Sequence, residues 1–430
     1  MIRPFKPVPA TVAGLALTAC IALSAVASLT GAVPLLAAGL PAWLAGVILC
    51  RDVPRRVRIQ SSVLLAVGAL GLGVGFFAEG AVDWRTAVAG NALLIAMLGA
   101  VSFLRLIAVP PAAASAQVPL GRRSLATTLA GVHLFGSVVN LPTVFIMARR
   151  MSDGRTLSRQ QAITLVRGFG SAAFWSPFFA AMAAALTYAP GARLPTLLAF
   201  GVPLALVALL ITFRDVSALD AEGFVGYPIN FSSLWLPGLL ALAILLAHSW
   251  RPSLSVLGLI ALLAPTVTAA ALLINQRHPA RTLADHVRSG LPAMRGELVL
   301  FLSAGVMAAG LMSLVAVTGL ALPFERFGGP QAGLLLALLV GLAIVGVHPV
   351  IGVAAAAAVV APLDPDPSLL ASCFLAAWGI GVAVSPLSAV NLALQGAYSL
   401  QPLQILRWNL PYAAIMIAVA AGLFMLHPGG

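Results

Sequence analysis

Polar side chains are scarce in this sequence, and those that interrupt its apolar runs fall into two sets that match each other. Gly131-Val132-His133 recurs as Gly346-Val347-His348. Gly168-Phe169-Gly170 with Ser176-Pro177 recurs as Gly379-Ile380-Gly381 with Ser385-Pro386, and Pro203 recurs as Pro411. The offsets are 348 − 133 = 215, 379 − 168 = 211, 385 − 176 = 209 and 411 − 203 = 208, a shrinkage that implies a longer loop after the first His motif.

The chemistry open to these residues is ligation rather than bond-breaking. Ser137 and Asn140, within Phe135-Gly136-Ser137-Val138-Val139-Asn140-Leu141-Pro142, offer hydroxyl and amide groups that ligate a cation or donate to an anion. Ser176 and Ser385 hold equivalent places in the two sets, and Ser388 and Asn391 extend the second. Pro177, Pro349 and Pro386 interrupt helices and release backbone groups. Half-helix ends then present partial positive charge at their amino ends and carbonyl oxygens at their carboxyl ends. The competing reading for Ser and Asn is hydrogen bonding between membrane helices.

His133 and His348 are the two histidines deep in apolar segments, where a titratable imidazole would couple transport to protons. A buried structural imidazole is the alternative. Arg167, just before the Gly-Phe-Gly motif, suits an anionic partner or snorkelling to the interface. His133 and Ser137 are four residues apart, but no acid at membrane depth would orient them, so an enzyme is not expected. Cys20, Cys50 and Cys373 show neither disulfide nor metal spacing, and no resident cofactor is implied.

The elements that must position these groups are membrane helices. Of 430 residues, 61% are hydrophobic and 8% charged, and the mean hydropathy is +1.04. A soluble domain carries roughly 25% charged residues. The net charge of +12 does not point to nucleic acid, because the arginines cluster between apolar runs, as cytoplasmic loops require. The clusters are Arg51 to Arg58, Arg122 and Arg123, Arg149 to Arg159, and Arg277 to Arg295. Arg3 and Lys6 precede a first apolar run that reads as a retained span rather than a signal peptide.

Apolar runs predict eleven spans, at 10–30, 33–50, 61–78, 87–108, 161–189, 194–213, 231–249, 253–275, 298–320, 369–398 and 408–426. Two further runs decide the topology. Arginines flank 125–148 on both sides, so that run is expected to enter and leave on the cytoplasmic face as a re-entrant hairpin broken near Asn140-Leu141-Pro142. The run 332–361 lacks flanking Arg clusters and reads as a second hairpin entering from outside, with Gly346 to Gly352 at its tip.

The predicted fold is an all-α polytopic membrane protein of about 11 transmembrane helices and two re-entrant hairpins, in two inverted repeats with discontinuous helices. Its parts are an extra span at 1–31, a first repeat at 32–228 with broken helix 161–189, and a second repeat at 229–430 with broken helix 369–398. The N-terminus is placed in the cytoplasm and the C-terminus outside, in a cell (inner) membrane. The twelve acidic residues are read as lying in loops or at span ends, which favours an anionic or neutral substrate over cation/proton antiport.

With these features the chain resembles the ion transporter superfamily, which includes the divalent anion:sodium symporters and is related to the membrane subunits of tripartite carboxylate transporters. The resemblance covers nearly the whole architecture and rests on the two hairpins and the Ser-Pro breaks. The family's tips read Ser-Asn-Thr; here Ser137 and Asn140 are separated by two valines, and the outer tip is His348-Pro349. The resemblance implies a sodium site near Ser137, Asn140 and Ser176, a second at the outer tip with the Ser385 loop, and substrate between them. It also implies a homodimer with an elevator-type moving domain. The resulting expectation is a secondary-active transporter of a small organic anion, a carboxylate, driven by sodium or protons. The alternatives are a membrane subunit working with a periplasmic binding protein, a non-transporting membrane protein, or an intramembrane enzyme.

Overall fold

A computed structural model describes residues 7–80, 82–108, 118–152, 156–229, 231–320 and 322–427. Arg3, Lys6 and Arg155 of the basic clusters lie outside the described residues. In chain order the helices begin with α1 (Pro7–Thr30), α2 (Leu36–Leu49), α3 (Arg55–Glu79), α4 (Trp84–Ala89) and α5 (Ala92–Ala108). Next come α6 (Arg122–Val139), α7 (Pro142–Ser152), α8 (Arg159–Ser171), α9 (Ala180–Tyr188) and α10 (Leu194–Asp220). Then follow α11 (Trp235–Trp250), α12 (Val256–Asn275), α13 (Pro279–Asp285) and α14 (Arg295–Thr318). The last are α15 (Gly329–Ile344), α16 (Pro349–Val360), α17 (Pro367–Val384), α18 (Ala389–Tyr398) and α19 (Pro402–Phe424).

Among the described residues there is no strand beyond a single bridge between Leu120 and Val225, and eight helical segments are long and apolar enough to cross a bilayer. The chain is an all-helical polytopic membrane protein. Two predicted spans form shorter helices, α2 with 14 residues and α11 with 16. The predicted span 87–108 starts earlier and is stepped at Gly90 and Asn91, where α4 hands over to α5. The basic segment read as a loop folds into α13 and a π turn at His286–Gly290.

The chain forms two compact units. The first comprises Met1–Ile107, Leu240–Glu325 and Ala354–Asp364. Its axis is the pair α3 and α14, which pack along each other. Small residues permit the approach: a Cβ on Gly310 would run into the Gly68 carbonyl oxygen. Without a hydrophobic drive between helices in lipid, such close backbone packing is a main source of association.

The second unit comprises Ala108–Leu239, Arg326–Val353 and Pro365–Gly430, and it holds every candidate ligating residue. Both ends of the 125–148 run return to one place. Gly121 N–H donates to Phe224 O at 3.0 Å, and Gly226 N–H donates to Pro119 O at 2.9 Å. The Gln161 side chain donates to Met151 O at 3.0 Å and to Val225 O at 3.1 Å. The start of α6 and the end of α7 therefore meet the same short segment. In the outer run, Cys373 Sγ, in the second turn of α17, donates to Ala332 O near the start of α15, and α15 and α16 are separated by a break at Val345–His348.

Helix starts define the internal repeat. They pair as α6 with α15 (122 and 329), α7 with α16 (142 and 349), α8 with α17 (159 and 367), α9 with α18 (180 and 389) and α10 with α19 (194 and 402), offsets of 207, 207, 208, 209 and 208. This register corrects the motif pairing read from sequence. The Gly-Val-His match at 215 is out of register, because His133 lies within α6 whereas His348 lies in the break before α16. The Gly-x-Gly match at 211 is out by two residues, since the Ser-Pro offset of 209 pairs Gly379 with Gly170 and not with Gly168. No longer loop is needed. The partner of Pro142 is Pro349, each the first residue of its half-helix.

Candidate functional site

The inner break forms where Asn140 takes φ 63° and ψ −145° after the last turn of α6. Asn tolerates the left-handed region better than most residues, and Pro142 keeps Leu141 out of the helical conformation. The break frees the Ser137 carbonyl, which accepts from Ser176 Oγ at 2.6 Å. Ser176 Oγ in turn accepts from Phe178 N–H at 3.2 Å. Asn140 Nδ2 donates to Phe178 O at 3.2 Å, and Ser137 Oγ donates to Leu134 O at 2.8 Å. Ser137 and Asn140 thus clasp Ser176-Pro177-Phe178, bringing together one group of the residues singled out from sequence.

His133 belongs to the same clasp. Trp175 Nε1–H donates to His133 Nε2 at 3.0 Å, so that nitrogen is an acceptor. The proton sits on Nδ1, which faces Ser171 Oγ at 2.8 Å, and Ser171 Oγ donates on to Gly168 O at 2.9 Å. The imidazole is neutral and engaged at both nitrogens. Its geometry is that of a strut between α6 and the broken helix.

At the second break Ser388 caps α18: its Oγ accepts from Asn391 N–H at 3.3 Å and donates to Val382 O at 3.0 Å. Asn391 Nδ2 donates to Ser385 O at 2.7 Å and to Val382 O at 3.2 Å. Gln395 Nε2 takes Pro386 O at 2.7 Å. The carbonyls released by Pro386 are therefore matched by side chains, as a low-dielectric site demands. Gln395 is absent from the residues singled out from sequence, although it follows Asn391 by four residues on the same helix face. Helix α18 packs against α7 and α8.

The outer tip is different. Gly346 has φ 96°, which favours glycine, and Pro349 starts α16. His348 Nδ1 accepts from Val350 N–H at 3.3 Å. Its ring meets Trp378 edge-on at 5.8 Å and borders an apolar crevice of Leu339, Leu342, Val353 and Ala377. In register, Ser137, Asn140 and Thr143 match Ile344, Val347 and Val350, whereas Phe179 and Met182 match Ser388 and Asn391. Each repeat supplies polar groups where the other is apolar.

The two broken helices cross at glycines. A Cβ on Gly170 would lie 2.9 Å from Gly379 O, and one on Gly379 would lie 2.9 Å from Gly170 O. Gly170 is six residues before Ser176 and Gly379 six before Ser385. Equal reciprocal distances are what a local two-fold axis between matching residues produces.

Arg167 is buried and held by the protein itself. It donates to Asp215 Oδ2 at 2.7 Å, Asn409 Oδ1 at 2.7 Å and Trp408 O at 2.9 Å, and its guanidinium lies 4.4 Å from the Tyr412 ring centroid. The reading of Arg167 as a snorkelling or substrate-pairing residue is corrected: it ties α8 to α10 and α19. Helix α10 runs past the predicted end at 213, which carries Asp215 into the helix.

No family model matches the sequence, and no curated protein matches it. Among solved structures the chain is similar to the YdaH transporter of Alcanivorax borkumensis, whose crystal structure is described as having an unusual topology. The match has a TM-score of 0.52 at 14% identity and covers 87% of this chain and 98% of that one. At that identity the likeness is one of fold.

Proposed function

We propose that this protein is a secondary-active transporter of a small organic anion, a carboxylate, coupled to a sodium or proton gradient. The observation that carries the reading is the pair of interrupted helices crossing at Gly170 and Gly379, with their loose ends satisfied by side chains of one unit. Broken helices inside a repeat are costly in a bilayer unless they build a polar site. The fold it shares with a solved transporter supports the same reading.

In this account the second unit carries the site across the membrane by elevator-type alternating access. The inner clasp supplies oxygens for sodium from Ser137, Asn140 and Ser176, and the second break, with Ser385, Ser388 and Asn391, borders the substrate. The repeats are inverted, the N-terminus is cytoplasmic, the C-terminus lies outside, and the protein works as a homodimer in the inner membrane. The engaged geometry of His133 favours sodium over a proton at the inner clasp. Thermal unfolding of purified protein tests the site. A carboxylate panel should raise Tm only for acceptable anions, with a larger rise in sodium than in potassium. No rise with any carboxylate in either salt would refute the reading.

A further inference from the structure

Two side-chain oxygens near the half-helix starts are buried and lack a hydrogen-bond partner: Thr143 Oγ1 in the first turn of α7 and Asn391 Oδ1 in the first turn of α18. Both residues are more than nine-tenths buried, and Asn391 is 0% exposed. The orientation of the Asn391 amide follows from its neighbours. Its Nδ2 points at two carbonyls, Val382 O and Ser385 O, which can only accept, so Oδ1 is the group left over.

The Thr143 hydroxyl is left over for a different reason. Several helical threonines in this chain bond the carbonyl four residues back, as Thr212 does to Ala208 O and Thr268 to Ala264 O, both at 2.7 Å, although Thr187 in α9 does not. Four residues before Thr143 is Val139, beyond the break and still in α6. The matching positions of the other repeat are Val350 and Met182. The Asn391 amide nitrogen is used by the Val382 and Ser385 carbonyls, but neither Thr143 Oγ1 nor Asn391 Oδ1 serves a partner within the fold.

The helices that carry them, α7 and α18, pack against each other, and their amino ends favour an anion. Thr143 has a donor to offer a carboxylate, whereas Asn391 Oδ1 can only accept. We infer that Thr143 and Asn391 line the anion site and select carboxylates that carry a hydroxyl or amino donor beside the acid group. The inference rests on the transporter reading and narrows its substrate class. Thr143 Oγ1–H donates to the carboxylate, and Asn391 Oδ1 accepts from the neighbouring O–H or N–H. Discrimination follows because an analogue lacking the donor leaves Oδ1 buried and unpaired.

The test uses full-length protein and ligand pairs that differ by one hydroxyl: malate with succinate, lactate with propionate, and 2-hydroxyglutarate with glutarate. Wild type should bind the better hydroxylated member at least about tenfold more tightly than its partner. Asn391→Met, which installs the residue of the other repeat, should bring the ratio to about one. Thr143→Val, which likewise installs the matching residue type (Val350), should weaken both members of a pair and leave the ratio intact. Should Asn391→Met fail to fold, the wild-type ratio and Thr143→Val still decide. Equal wild-type affinity within every pair overturns this inference while leaving the transporter reading in place. So does an unchanged ratio in folded Asn391→Met, the result expected if a cation or water satisfies Oδ1. Failure of every carboxylate to bind overturns both.

Discussion

Gly170 and Gly379 touch backbone to backbone, each placing its absent Cβ 2.9 Å from the other's carbonyl oxygen. The contact joins the two interrupted helices six residues before each Ser-Pro break, so both breaks are held in fixed relation to one crossing point. A methyl group at either position has nowhere to go but into backbone. Gly379→Ala also collides with the Phe174 ring, so it should be the more damaging of the two. Overpacking of this kind costs about 1–3 kcal/mol. Thermal unfolding in detergent should show Gly379→Ala below Gly170→Ala, and both below wild type.

Ser176 connects the inner hairpin to the broken helix through Ser137 O and Phe178 N. Ser176→Ala leaves both backbone groups unpaired, at a cost of about 1–3 kcal/mol each where they stay buried. Ser176→Thr keeps the hydroxyl and should retain most of the stability. The check is a comparison of Tm and sodium-dependent stabilisation for the two variants.

The Arg167 cluster separates structural from functional roles for a buried charge. Arg167→Leu leaves Asn409 Oδ1 without its donor and Asp215 without its ion-pair partner. Asp215 is 42% exposed and can be rehydrated, so the loss falls mainly on the buried Asn409 Oδ1, at about 1–3 kcal/mol. Asp215→Asn keeps an oxygen acceptor but leaves a guanidinium that is 2% exposed without its counter-charge, so it should also lower Tm. Substrate affinity of whatever Asp215→Asn protein folds should match wild type, because the cluster holds helices and not ligand. Isothermal titration on the folded fraction measures this.

His133 sits between two hydrogen bonds that specify a neutral ring, so it should not titrate during transport. His133→Gln should lower Tm and leave the pH profile of uptake unchanged. A profile displaced by a unit or more in a folded His133→Gln protein would return a proton-coupling role to this residue.

Much of this arrangement is legible in the sequence because proline and glycine punctuate apolar helices in a readable way. Asn140-Leu141-Pro142, Ser176-Pro177 and Ser385-Pro386 each sit where a helix stops. The arginines flanking 125–148 predict that its two ends lie on one side, and both ends meet the segment around residues 224–226. The repeat register is less legible, because Gly-Val-His matches by chance eight residues away from the register of 207 set by the helix starts. Short identities among small and apolar residues carry little information in a chain that is 61% hydrophobic. The role of Arg167 is hidden because its partners Asn409 and Trp408 lie more than 240 residues away, and nothing local announces them. Thr143 carries no signal of its own, since a threonine in an apolar helix ordinarily bonds its own backbone, and only the break at Asn140 removes that option.

The central claim is that the second unit moves an organic anion, driven by a coupled cation gradient. Its most direct measurement is uptake of radiolabelled hydroxycarboxylates into proteoliposomes holding the full chain, with inward sodium and proton gradients imposed separately. The account predicts uptake above protein-free vesicles that collapses when the driving gradient is dissipated and falls sharply in Asn140→Ala. Vesicles with folded, oriented protein that accumulate no carboxylate under either gradient would contradict it.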